Sequence, residues 1–203
     1  MHFLPFALLG LIKLKVIDFI YYFILYILLL LILPKRYNWE LPVIPIYPCN
    51  TSESIMVFYE NSKLTEKDKK FFELTDPSII YAFLPHVEEN ERDLENIITS
   101  FKVTSVILFF KYSINRARPY QINEDIKPLK SNTGSTPSYP AGHAFQAYYL
   151  SHVLSHKYPE KKDLFDKIAR KCDKVRVKAG IHYPSDGKFS KRLVDMLIDL
   201  NIY

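Results

Sequence analysis

Hydrophobic positions follow two regimes along this chain. In residues 16–33, VIDFIYYFILYILLLLIL, they run together with Asp18 as the one charge, and eighteen residues is about the length that crosses the hydrocarbon of a bilayer. Lys13 and Lys15 flank one end, Lys35 and Arg36 the other, and Tyr37 and Trp39 stand where an interfacial aromatic belt forms. The pattern predicts a transmembrane anchor rather than a secretory signal, because no small-residue cleavage site follows it. Two basic residues on each side set no orientation.

Beyond the anchor the pattern changes. Pro34, Pro42, Pro45 and Pro48 prevent a continuous helix, so residues 34–52 read as a semi-rigid spacer after an N-terminal segment 1–15, and a body is expected from 53 to 203. There apolar residues recur at helical spacing, and no alternating strand pattern competes. The body is predicted all-α. Thr65–Asp68 has capping-box form, and Asp76-Pro77 reads as an N-cap followed by a first-turn proline. One long helix is expected over about 89–114, burying Leu94, Ile97, Ile98, Phe101, Ser105 and Leu108. Others are expected over about 142–156, 160–179 and 185–200, the last facing the core with Leu193, Met196, Leu197 and Leu200. SVILFF at 105–110 is too short for a second span.

Composition narrows the function classes. A formal charge of +5 spread without a basic run gives no reason to invoke nucleic acid. Cys49 and Cys172, lacking C-x-x-C spacing, read as two unpaired thiols rather than a disulfide framework or a zinc site. Asn50-Thr51-Ser52 is a glycosylation sequon, a triplet that also arises by chance.

The chemistry gathers around a polar stretch between Pro119 and Pro140, long for a loop inside a compact domain. Upstream, KYSINRARP holds Lys111 and Arg118 seven residues apart, nearly one face of a helix for as long as the helix lasts. Downstream, PSYPAGH sets Gly142 and His143 at an expected helix start, where free N–H groups favour an anion. Further on, VRVKAGIHYPSD supplies Arg176, His182 and Asp186. Each has an ordinary reading taken singly: a solvated cation, a turn glycine at 142, a helix cap at Gly180, a first-turn acid at 186. Together they suit phosphoryl transfer through a phosphohistidine. Guanidinium groups match phosphate oxygens, one imidazole attacks phosphorus, and the other protonates the leaving oxygen. Asp186, four residues after His182, is placed to hold the far nitrogen of that ring. This chemistry calls for no metal or cofactor.

In order, K-x6-R-P, P-A-G-H and R-x5-H-x3-D closely resemble the three-part signature of the phosphatidic acid phosphatase type 2 superfamily, which also contains bacterial acid phosphatases and vanadium haloperoxidases. The resemblance spans 111–186. It implies a helical bundle in which Lys111, Arg118, Arg176 and the Gly142 amide hold phosphate, His143 is the general acid, His182 the nucleophile and Asp186 its partner. It implies a phosphomonoesterase acting on a soluble or lipid phosphate, here tethered to a membrane by one span. Two other readings are a vanadium-dependent haloperoxidase, told apart by peroxide and halide activity with added vanadate, and a silent binder of a phosphorylated ligand. The chain departs from the signature at Ala141, where a serine is usual, and at Val175, which often is serine.

Overall fold

The computed structural model describes residues 47–199, so the expected anchor at 16–33 and most of the spacer lie outside the described residues. Eight α-helices follow in order: α1 (Asn50–Asn61), α2 (Glu66–Thr75), α3 (Glu91–Ile98), α4 (Phe101–Ile114), the single turn α5 (Pro119–Ile122), α6 (Gly142–Lys157), α7 (Lys162–Lys178) and α8 (Pro184–Asp199). Three short 3-10 turns join them, and no strand occurs among the described residues.

α6 is the central helix because it is apolar on two sides. Ala147, Leu150 and Leu154 pack with Leu94 and Ile98 of α3 and with Phe165, Ile168 and Ala169 of α7. Phe145 and Tyr149 pack on its other side against Val103 and Ile107 of α4 and Leu193 and Val194 of α8. A helix sandwiched in this way buries residues all around its axis. Two smaller clusters attach α1 and α2 to the far end of α7, through Val57 with Val177 and Tyr183, and through Phe72 with Val175 and Ile181.

Several expected boundaries change. α1 begins at Asn50, inside the stretch read as spacer. The single helix over 89–114 is two helices, α3 and α4, bent by 44°. The break falls at Thr99 and Ser100, where the Thr99 hydroxyl donates to the Glu95 carbonyl and competes with the main chain for a helical acceptor. The break also re-registers the buried stripe, so Phe101 is 84% exposed while Val103, Ile107 and Lys111 face inward. Asp76 ends α2 instead of opening a helix. Thr65 and Asp68 do form the expected capping box. On α8 the expected Leu193 is buried and Leu197 packs against the same cluster, but the buried edge also runs through Asp186, Gly187, Ser190 and Val194, Met196 is half exposed, and Leu200 lies outside the described residues. Polar residues buried on α8 displace the face that hydrophobicity alone marks out. Both cysteines are free thiols.

No single helix among the described residues is long and apolar enough to cross a membrane; α3 with α4–α5 has the length and apolar composition only as a bent pair.

Candidate active site

Four helix ends converge. Lys111 lies in the last turn of α4, which Asn115 terminates in the left-handed region at φ 51°. Arg118 therefore does not continue the face of Lys111. It sits in extended conformation before Pro119, as a residue preceding proline prefers, and its own fold brings it back. Gly142 and His143 open α6. Arg176 lies in the last turn of α7, and Asp186 in the first turn of α8.

The α7–α8 connection shows why these letters occur in this order. Gly180 takes φ 74°, its N–H donating to Val177 O while Ile181 N–H donates to Arg176 O, the paired bonds of a Schellman cap. A Cβ at Gly180 would lie 2.7 Å from Ile126 Cγ2, so glycine is required on steric as well as conformational grounds. The reversal turns His182 inward. Asp186 then closes the start of α8, Oδ2 accepting the Tyr183 N–H at 2.9 Å, and the same oxygen lies 3.0 Å from His182 Nδ1. Donating the Nδ1 proton to Asp186 leaves Nε2 with its lone pair, which faces Arg118 Nη1 at 3.3 Å.

The cations are held chiefly by main-chain carbonyls. Arg118 donates to Ile181 O at 2.8 Å and to Thr133 O and Thr136 O, both at 2.9 Å. Lys111 Nζ donates to Pro137 O. Arg176 donates to Thr75 Oγ1 and O, while its buried Nε has no hydrogen-bond partner among the described residues. His143 Nε2 lies 2.9 Å from the Asp76 carbonyl, and the Asp76 carboxylate accepts from Ser131 Oγ and Asn132 N–H, fastening the 123–141 loop over the site. Gly142 contributes a first-turn N–H without an intrahelical acceptor. A Cβ there would meet Ile107 and Lys111 only at ordinary contact distance.

Burial and crowding of like charge determine the electrostatics. Burial, then Arg118, pushes the Lys111 ammonium well below its usual range. Burial, then Arg118 and Lys111, does the same to His182. His143 falls to about 3 through burial and then Arg176, so both rings are neutral near pH 7. Burial also raises Asp186, and Arg116 is the largest influence opposing that rise. A phosphate dianion among these groups would relieve the repulsion and favour every protonated form.

All seven residues anticipated from sequence belong to this one region. Arg116 and Glu53 were not anticipated as parts of it, whereas Ser138 was a candidate to replace the hydroxyl missing at Ala141. Arg116 Nη1 donates to Asp186 Oδ1 at 2.6 Å and Nη2 to Glu53 Oε2 at 2.8 Å, while Ser138 Oγ donates to Asp186 Oδ2. The sequence signals were faint: an arginine two residues from another, and a serine where the signature is usually read three positions later. Asn50, the sequon residue, accepts from Arg116 Nε through its side-chain oxygen.

Ser138, committed to Asp186, does not replace the hydroxyl missing at Ala141. Ala141 is the N-cap of α6, fully buried, with no side-chain cap bond. Ala141→Ser is therefore expected to act twice: a cap contributes about 1 kcal/mol, or 2–4 °C in Tm, and a hydroxyl reaching phosphate tightens phosphate and vanadate inhibition by at most about 1.5–3 kcal/mol. Inhibition constants and melting curves for the two proteins test this. A raised Tm with unchanged inhibition by both anions would show that the hydroxyl caps the helix and does not touch the anion. Val175, the other departure, packs with Phe72, Ala179 and Ile181 as a core residue.

The family model described as PAP2 superfamily matches residues 94–190, from α3 into α8, and so takes in every catalytic and anion-binding residue named in the sequence analysis. A search of curated proteins finds no match.

Proposed function

We propose, from the premise that residues 94–190 belong to the PAP2 superfamily, that this protein is a phosphomonoesterase working through a phosphohistidine. Membership supports phosphoester hydrolysis as the class of chemistry. The observation that carries the finer reading is the buried His182–Asp186 pair, whose free ring nitrogen faces Arg118.

In the proposed reaction Arg118, Arg176, Lys111 and the Gly142 N–H hold the non-bridging oxygens, leaving phosphorus in line with His182 Nε2. The Nε2 lone pair forms the N–P bond as the P–O ester bond breaks, and His143 gives its proton to the departing alcohol oxygen. Asp186 stabilises the positive ring that results. Water then attacks the phosphohistidine, His143 takes a proton from it, the N–P bond breaks, and phosphate leaves. The sum is one water consumed and one alcohol and one phosphate released.

The low basicity of His143 suits the second half of this cycle and opposes the first. Buried among cations it is neutral, as a base must be before accepting a proton from water. The incoming dianion supplies the negative charge that favours its protonated form. Residues 16–33 would tether the domain to a bilayer and bring lipid phosphates within reach alongside soluble esters.

The test uses full-length protein in phosphatidylcholine vesicles, with p-nitrophenyl phosphate as the soluble ester and phosphatidic acid as the lipid. Phosphate release, with a protein-bound label that is lost in acid and survives alkali, is expected. Absence of release from both substrates, or a label stable to acid, would overturn the reading.

A further inference from the structure

Arg116 lies two residues from Arg118 but faces the opposite side of the reacting ring. It is buried and shares its guanidinium among Asp186 Oδ1, Ser185 Oγ, Glu53 Oε2 and Asn50 Oδ1, all within 2.6 to 2.9 Å. Its planar face lies over Tyr183 at 3.8 Å and Tyr47 at 4.1 Å. Glu53, 5% exposed, completes the arrangement by accepting the Ser185 N–H at 2.8 Å and the Ser185 hydroxyl at 2.6 Å, which ties α1 to the first turn of α8.

An arginine buried only to balance Asp186 would need one acid. Here there are two. Glu53, Arg116 and Asp186 together carry one net negative charge, one hydrogen bond behind His182. That ring turns positive when Nε2 takes phosphorus. We propose that Glu53 and Arg116 are positioning residues for the proposed reaction: Arg116 keeps Asp186 ionised, so that Nδ1 holds the ring proton and Nε2 the lone pair, and Glu53 supplies the surplus charge that balances the phosphorylated ring. The inference rests on the phosphohistidine reading of the site.

Chemically, the two act in opposite senses. Burial drives Asp186 toward its neutral form and Arg116 opposes this. A protonated Asp186 would donate to Nδ1, reverse the tautomer and place a proton on the attacking nitrogen. Removing the Arg116 charge therefore raises the pH needed to ionise the His182–Asp186 pair. Removing the Glu53 charge lowers it. The pair is also faced by Lys111 from α4, Arg118 after it, His143 from α6 and Arg176 from α7. Tyr139 of the covering loop, Tyr183 before α8 and Asp173 of α7 complete its charged and titratable surroundings. All of these stay in place in both variants, so the difference between variants isolates Glu53 and Arg116.

The experiment compares full-length wild type, Arg116→Gln and Glu53→Gln by two readouts. The first, independent of activity, follows the 15N shifts of the His182 ring against pH, assigned by their loss in His182→Ala. The second is the acid limb of kcat/KM for p-nitrophenyl phosphate. The midpoint should rise by about one pH unit in Arg116→Gln and fall by about half a unit in Glu53→Gln. General loosening of the fold would not move two variants in opposite directions. Shifts in the same direction, or none, overturn the inference. Should Arg116→Gln fail to fold, Glu53→Gln decides alone, and no downward shift overturns the proposal. Opposed ring shifts in the two variants, with a wild type that forms no phosphoenzyme, would leave the linkage standing as electrostatics and overturn both its catalytic role and the hydrolase reading.

Discussion

Replacing His182 with alanine is expected to abolish turnover and remove the acid-labile phosphate label, while the protein remains folded. In the proposed mechanism Nε2 forms the bond to phosphorus, and no other group near Arg118 takes its place. The fold should tolerate the change because Asp186 would not be left alone: Arg116, the Ser138 hydroxyl and the Tyr183 N–H also satisfy its carboxylate. Quenching the reaction with radiolabelled substrate, together with a circular dichroism melt, checks both halves. Full labelling of the variant would remove His182 from the role of nucleophile.

The second large effect belongs to His143. Its alanine variant is expected to lose about 10²–10⁴ in rate on an alkyl phosphate and distinctly less on p-nitrophenyl phosphate, whose leaving group departs without a proton. The pH profile should change as well. His143 must carry a proton to donate, so the wild-type rate falls as pH rises through its pKa in the substrate complex. Without His143 that alkaline fall disappears, while the acid limb set by His182 and Asp186 remains. Equal losses on both esters with an unchanged profile would exclude His143 as the acid. From a starting value of about 3, a ring held neutral by burial and Arg176 would become a donor only through the charge that the substrate brings.

The site was legible where its chemistry sits on chain signals that are themselves local. Lys111 precedes a helix stop, His143 follows a helix start, Gly180 is a cap, and Asp186 is a first-turn acid, so spacing along the chain carried these residues to the right ends of the right helices. Arg116 and Glu53 were illegible for the opposite reason. Glu53 meets Ser185 across 132 residues, and neither an isolated acid near a proline-rich stretch nor an arginine beside another carries any mark of such a partner. The misplaced stripes have a related cause. Hydrophobic periodicity finds the buried side of a helix only when buried residues are apolar, and α4 and α8 bury Lys111, Asp186 and Ser190. The single helix over 89–114 failed at Thr99 and Ser100, residues unremarkable in a sequence of 203, where the Thr99 hydroxyl shares the Glu95 carbonyl with the main chain.

The carbonyls of Thr133, Thr136 and Pro137 accept from Arg118 and Lys111, so on the hydrolase reading the 123–141 loop would compete with substrate for these donors. These neutral dipoles occupy the N–H groups that a dianion would bind more strongly, so on the hydrolase reading the loop serves as the first occupant and phosphate as its displacer. Association would then have two stages: a unimolecular release of the Asp76 clasp from Ser131 and Asn132, followed by capture. The observed on-rate would level off at high substrate, at the opening frequency of the loop, and apparent affinity would be lower than intrinsic affinity by the fraction of molecules open at any instant.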